Sequence, residues 1–472
     1  MAAIETDYLV IGTGGSAMAF VDTLLTEDPQ ARIVMVDRHD RPGGQWNDAY
    51  SFVRLHQPAA WYGVASLELS DWQRETTGFN AGMWNLASGT EVLAHFEHVM
   101  KQFLATGRVQ WLPKCEWLGA EGGTHRIRSL LAGDERRVAV RRKLVNATLA
   151  RVEVPSTHPP RYEVMPGVRC VPLNALPAIQ RPFANYTVVG SGKTGMDACI
   201  WLLENGVPHE RIRWIMPRDP WMVDRANLQP GPEGWRRNFE FSMVQFDAIC
   251  EARDLPDLFR RLEAGGALMR VDPAVEPATF RCAVVSRGEL AQLRRIGEAG
   301  GIVRLGRVTR IEPARIVFER GELPADADTL YVDCSASAIQ ALPGVPVFDG
   351  GTINLQPVRF CQPLLSASVI GWVEANIADA DEQNAMCLPV RGPDRPIDFL
   401  HMWRETLTNA AHWRQHRAFS AWMQSCRLNP QAVILRGVEI TPEVKKKLSE
   451  IAERAAQAGG RAAELLATLA AA

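Results

Sequence analysis

One feature constrains this chain more than any other: a short apolar strand, a glycine-rich turn, a helix and a second apolar strand, present at the N-terminus and again far downstream. Tyr8 to Ile11 is a continuous apolar run, as a strand buried on both faces should be. Gly12-Thr13-Gly14-Gly15-Ser16-Ala17 follows, Ser16 to Thr26 has helical spacing, and Ile33 to Val36 is the next apolar run, ending at Asp37. The downstream copy has Tyr186 to Val189 and the turn Gly190-Ser191-Gly192-Lys193-Thr194-Gly195. A helix from Met196 to Glu204 comes next, stopped by Asn205-Gly206, and then a strand from Ile212 to Met216. The copies lie too far apart for a solenoid repeat, and two dinucleotide sites account for them. The expected fold is α/β, with two Rossmann-like dinucleotide-binding domains, the second inserted in the first, and a C-terminal helical tail.

The residue types explain the chemistry. Gly12 permits the tight turn, Gly14 lets a pyrophosphate approach the backbone, and the small Ala17 lets the helix pack close to the strand. The helix N-terminus offers free N–H groups and a favourable dipole to phosphates. Asp37 stands where a carboxylate accepts hydrogen bonds from a ribose diol. In the second copy Gly190, Gly192 and Gly195 have fingerprint spacing. It is no Walker A loop, because Thr187 stands where that loop needs a glycine, so Lys193 and Thr194 are neighbours of phosphates in a Rossmann turn. The following strand ends in Met216-Pro217-Arg218-Asp219-Pro220-Trp221. Arg218 in the place of an acid suits a 2′-phosphate and favours NADPH, while Asp219 next to it leaves NADH open.

Composition removes other classes. Of 472 residues 46% are hydrophobic, enough for a large core and at least two domains. Fifty-two basic residues face 54 acidic ones, so no basic stripe suggests nucleic acid. No long apolar run suggests a membrane span, and no signal peptide is visible, so a cytoplasmic protein with a small-molecule substrate is expected. Nine cysteines without a C-x-x-C pair read as reduced thiols, and argue against a disulfide framework, a zinc site or a dithiol reductase.

Beyond Asp37 and Arg38 come Arg41-Pro42-Gly43-Gly44-Gln45-Trp46 and then Tyr50-Ser51-Phe52-Val53-Arg54-Leu55-His56-Gln57-Pro58. This stretch resembles the flavin-containing (class B) monooxygenases, whose FAD domain carries an acidic strand end, a GG-x-W turn and a tyrosine-started segment passing the flavin. The likeness continues through Ser88 to Phe103 and at Leu144-Val145-Asn146-Ala147-Thr148, although Leu149 replaces the family's glycine. It implies FAD at the first site, held by Gly12, Gly14, Gly15, Ser16, Asp37, Arg38, Gly44, Gln45, Trp46, Arg54, His56 and Gln57. NADPH (or NADH) would be held by Gly190, Gly192, Lys193, Thr194, Gly195 and Arg218. His56 is the catalytic candidate, titrating near neutrality beside the flavin, with a structural loop histidine as the alternative.

Two departures matter. The family's linker motif, F-x-G-x-x-x-H-x-x-x-W, should lie between the two sites; counted on Gly167, Val171 takes the histidine place and Ala175 the aromatic one. Near the end, Asp333-Cys334-Ser335-Ala336 lacks the glycine of the family's Ala-Thr-Gly. The resemblance therefore implies an FAD-dependent, NAD(P)H-using oxidoreductase, monooxygenase-like, with a reductase lacking oxygen transfer or a non-catalytic dinucleotide binder as alternatives. Residues 1–180 and 335–430 are assigned to the FAD domain, 181–334 to the NAD(P)H domain with a helical insertion, and 431–472 to the tail. The proline-rich stretch Val154 to Pro182 reads as a stiff extended link. Trp235, Phe239, Phe241 and Phe246 line either a substrate cavity or an ordinary core, His412 and His416 have metal-compatible spacing without a third ligand, and Gly459-Gly460 should break the tail helix.

Overall fold

The computed structural model describes residues 3–150, 153–326, 328–336 and 344–471. The apolar run after the N-terminus becomes the strand Ile4–Ile11, central in a sheet whose neighbours are Ile33–Val36 and Glu135–Asn146. Tyr8 pairs in parallel with Ile33 and with Lys143, and Ile33 in turn with Val109 of Val109–Leu112. Parallel neighbours need crossovers, which the helices Gly15–Glu27 and Gly89–Ala105 supply. Ser88 starts the second of these with a reciprocal capping box through Glu91.

The strand Thr352–Asn354 returns to the same sheet, beside Glu135–Asn146. Everything from Arg169 to Asp333 that forms the second parallel sheet is therefore inserted between parts of the first. That sheet runs Ile302–Val303, Ile212–Ile215, Asn185–Val189, Thr329–Asp333, Arg169–Pro172, every neighbouring pair parallel. The chain is α/β with two Rossmann-like units, the second inserted in the first, and it ends in the helix Pro442–Ala471.

The helix Pro363–Asn376 closes the first unit. It buries Leu364, Leu365, Val369, Ile370, Trp372 and Val373, each large side chain contributing about 1.5–3 kcal/mol. It crosses Gly15–Glu27 at Gly371, where a β-carbon would stand 2.8 Å from the Phe20 carbonyl oxygen. A third sheet, Leu268–Met269, Pro220–Asp224 and Thr279–Val285, hangs from the second unit and is wrapped by the helices Trp235–Glu251, Leu255–Ala264, Asp398–Gln415 and Pro442–Ala471.

Three sequence expectations change, and one open alternative, core or cavity, falls to the core. Gly459-Gly460 does not interrupt the tail, which is one helix. Each glycine costs about 1 kcal/mol against alanine, but Ala458, Ala462, Leu465 and Leu466 are buried, and Gly459 lies close to Leu407 of the neighbouring helix. The connector is not merely extended. Arg169–Pro172 is a strand at the sheet's edge, where proline is tolerated because no partner needs its missing N–H. Trp235, Phe239 and Phe246 are buried core residues, the first two packed with Ile434 and Val444. Finally, not every cysteine is free: Cys282 and Cys361 form a disulfide across 79 positions. A bulge in Thr279–Val285, between the residues paired with Trp221 and Met222, re-aims the Cys282 side chain, something no sequence spacing reveals.

Candidate functional site

Both glycine turns form as the spacing demands, but they are finished differently. At the first, Gly12 takes φ +96°, closed to most side chains, and its N–H donates to the Val36 carbonyl. Gly14 is the N-cap of Gly15–Glu27 and offers no side-chain cap. The Gly43-Gly44 turn lies directly on it: Gly43 N–H donates to Thr13 O at 2.9 Å, and a β-carbon on Gly44 would stand 2.8 Å from the Gly14 α-carbon. Gly15 faces Leu364, the Tyr62 hydroxyl and Phe96. Ser16 is half-buried in the helix's first turn. Trp46 donates its indole N–H to Tyr62 at 2.8 Å, fixing the wall beside the turn, while Gln45 and Arg38 are exposed.

Asp37 is buried and fully engaged. Its Oδ2 accepts from the Thr13 N–H (2.6 Å) and hydroxyl (2.8 Å), and its Oδ1 accepts from the His39 N–H (2.8 Å) and Nδ1 (2.9 Å). A carboxylate has about four acceptor positions, and all are in use. Burial opposes its charge, but the His39 and Thr13 hydrogen bonds outweigh burial and hold its pKa below the ordinary carboxylate value. His39 also lies 2.9 Å from Asp48 through Nε2, and the Asp37 hydrogen bond chiefly pushes its pKa up to about 9. It is an imidazolium at neutral pH. Sequence reading passed over His39 and Thr13; the signal was a second titratable group two residues beyond the strand-end acid.

At the second turn Gly190 has φ +130°, and a β-carbon there would overlap the Cys334 carbonyl oxygen. One on Gly195 would overlap the Gly190 carbonyl oxygen, so glycine is obligatory where helix meets strand. Gly192 is the opposite case. It caps Lys193–Glu204 without a side-chain cap, and a β-carbon on it would meet nothing within 4 Å. Elsewhere, at Gly89–Ala105, Leu255–Ala264 and Arg287–Glu298, a side chain fills that role. An open glycine at an uncapped helix start leaves free N–H groups that an anion can reach. Lys193 pairs with Asp197, which also accepts from the Tyr50 hydroxyl at 2.6 Å; Thr194 is half-buried beside it. Tyr50 comes from the first unit, so this contact ties the two units at the turn.

His56 lies within electrostatic reach of Lys193 in the second turn and of Arg225. Its side chain is open to solvent-sized molecules, yet the surrounding protein desolvates it, and Lys193 and Arg225 add positive potential against Glu289. Together they push its pKa down to about 3, far below the near-neutral value expected from sequence. The His56 carbonyl accepts from Arg225 Nε at 3.0 Å. Arg225 is fully buried and bonded also to Asn80, Glu289 (2.7 Å) and the Val284 carbonyl. Gln57 is half-buried beside His56, whereas Arg54 is committed to Leu86 O, Asn85 and Glu75. Arg225 and Glu289 carried no sequence signal, since they pair across 64 positions. His416 caps the helix Arg417–Ser425, accepting from the Phe419 N–H.

Arg218 stands at the end of the second unit's strand, its carbonyl accepting from Ser191 of the glycine turn at 2.7 Å. Its guanidinium holds both oxygens of Asp394, at 3.0 and 3.1 Å. Asp219 is buried and gripped on both oxygens by Arg304.

Two parallel sheets, each opening into a glycine turn and one inserted in the other, define the fold of the class B flavin monooxygenases. Cyclohexanone-bound cyclohexanone monooxygenase superposes with a TM-score of 0.51 at 15% identity, over 97% of this chain and 99% of that one. A flavin monooxygenase variant from Stenotrophomonas maltophilia gives 0.48 at 14% identity, over 81% and 99%. No family profile matches the chain. By sequence it belongs to the family of the uncharacterized proteins Rv2000 of Mycobacterium tuberculosis and Mb2023 of Mycobacterium bovis, each 46% identical over 465 residues, 98% of this chain and 85% of the relative. Among the described residues no helix is long and apolar enough to cross a membrane.

Proposed function

We propose that this chain is an FAD-dependent oxidoreductase that uses NADPH and acts, in the manner of the flavin monooxygenases, on a small organic substrate. The observation that carries the reading is the pair of uncapped glycine turns, at Gly14 and at the open Gly192, each at the start of a helix that follows a parallel strand of its own sheet. Residues 1–180 and 335–430 would form the FAD domain, with the connector's edge strand lent to the second sheet. Residues 181–334 would form the NADPH domain, and 431–472 the helical tail.

The residues fit the two cofactors unequally. Gly12, Gly14, Gly15 and Ser16, with Gly44, Gln45 and Trp46 above them, would hold the FAD pyrophosphate on backbone N–H groups. Asp37 would hold the ribose diol only by exchanging the Thr13 hydroxyl or the His39 ring for it, because its acceptor positions are filled. Gly190, Gly192, Lys193, Thr194 and Gly195 would hold the NADPH pyrophosphate without rearrangement. FAD, when bound, supplies hydride acceptance from NADPH and, in the monooxygenase reading, activation of oxygen.

The protein's part is orientation and exclusion of water. Arg225 fixes the His56 backbone from a buried position, and Tyr50 with Asp197 fixes the second turn against the first unit. His56, neutral across the physiological range, would donate one hydrogen bond and accept another at the reacting centre without gaining charge. A second reading, NADPH-driven reduction of an organic acceptor without oxygen transfer, is favoured by Val171 and Ala175 in the linker positions and stays beside the first.

Unfolding the purified protein should release FAD, identified by chromatography, and NADPH should bleach the holoprotein without oxygen. Oxygen uptake matching NADPH use, with an oxygenated product, separates monooxygenase from reductase. A protein still colourless after reconstitution with FAD would overturn the proposal.

A further inference from the structure

The strand end that should meet an adenosine ribose carries more cationic chemistry than the turn alone requires. Arg218 grips Asp394 fork-on-carboxylate, and Arg281, from the bulged strand Thr279–Val285, grips the same carboxylate through Nε (2.8 Å) and a second nitrogen. Two guanidiniums thus share one carboxylate. All three side chains are partly open, at 36%, 29% and 42% exposure. The acid that could instead read an unphosphorylated ribose, Asp219, is buried under Arg304 and cannot offer its oxygens to a diol.

We propose that Arg218 and Arg281 form a clamp for the 2′-phosphate of NADPH, and that Asp394 occupies the clamp as an internal stand-in for that phosphate. This deepens the dinucleotide reading above and rests on it. Carboxylate and phosphate present a guanidinium with the same paired oxygens, but a phosphomonoester carries close to two charges and three acceptor oxygens, which match two guanidiniums where one carboxylate does not. Asp394 is built to leave. Its backbone is held independently, the carbonyl by Phe280 N–H (3.0 Å) and the N–H by Asp398 (3.1 Å), so only its side chain need rotate. Until it does, the fraction of open clamps sets the apparent affinity for the phosphorylated ligand, while a nucleotide without the 2′-phosphate is untouched.

The test uses the full-length protein and two probes, adenosine 2′,5′-bisphosphate and 5′-AMP, by calorimetry. Asp394→Asn should bind the bisphosphate on the order of tenfold more tightly with 5′-AMP unchanged. Arg281→Ala should weaken the bisphosphate about tenfold, again with 5′-AMP unchanged. Asp394→Glu, which keeps the charge, should behave as the wild type. As a check independent of nucleotide, inorganic phosphate at fixed ionic strength should raise the melting temperature of Asp394→Asn more than that of the wild type. If both variants shift the two nucleotides alike, or neither, the clamp is wrong and the dinucleotide site stands. If the wild type binds neither nucleotide, the dinucleotide reading falls and takes the clamp with it.

Discussion

The two glycine turns share a spacing and differ in almost everything laid over it. The first is covered: Gly43-Gly44 rests on Gly14, and Asp37 spends its acceptors on Thr13 and His39. The second is bare at Gly192, and its strand-end Arg218 is paired with Asp394. The first turn is thus organised by bonds inside the chain, which a cofactor must join or replace. The second leaves its helix start open, which in the proposed reading is where the NADPH pyrophosphate would sit. Equal fingerprints do not imply equal readiness to bind.

Substitutions can break or sharpen this contrast, the largest effect coming from Arg225, which ties the second unit to His56 and Asn80 of the first. Arg225→Met leaves Glu289 buried without its partner and releases the His56 carbonyl; a loss of about 3–5 kcal/mol in urea unfolding is expected. A loss under 1 kcal/mol would mean the fold does not depend on that pair. Gly195→Ala, whose β-carbon overlaps the Gly190 carbonyl, should cost about 3 kcal/mol.

Next comes His39→Gln, which keeps a donor but removes the charge between Asp37 and Asp48, for about 1–2 kcal/mol at pH 7. The pH dependence has a definite sign. The folded His39 value, about 9, stands above its usual 6.5, so the imidazolium's contribution is full below pH 6.5 and is lost as pH rises through 9. Melting temperature measured from pH 6 to 10 should fall across that window in the wild type and flatten in the variant. Asp37 works in the other direction, its contribution being lost on acidification.

The smallest effect on stability is expected at Gly192→Ala, where the added methyl meets open space: within about 0.5 kcal/mol, but with NADP⁺ binding weakened, because the methyl fills that space. The matching Gly44→Ala change, forced against Gly14 at φ +56°, should destabilise the fold itself. If both behaved alike, the covered and bare turns would not differ in what they tolerate.

Much of this was legible in the chain alone. The strands and helices of both turns fall within a few residues of the apolar periodicities, as Thr329–Asp333 and Asn185–Val189 show, and Thr441 and Pro442 start the tail helix as their capping chemistry demands. The return of the chain after Asp333 to the first sheet followed from the family resemblance, not from local rules. They failed where neighbours outvote propensity: Gly459-Gly460 stays helical under the packing of Ala458 and Leu465.

What this sequence determined by itself was the pair of turns, because backbone reach, missing β-carbons and apolar spacing act within a few residues. Only the tertiary structure decided how each turn is used. Asp37 meeting His39 and Thr13, Arg225 crossing to His56, Cys282 meeting Cys361 and Asp394 lying between Arg218 and Arg281 are contacts between groups whose electrostatics act through space. Charge and desolvation depend on distance and surroundings, and the order of residues along a chain specifies neither.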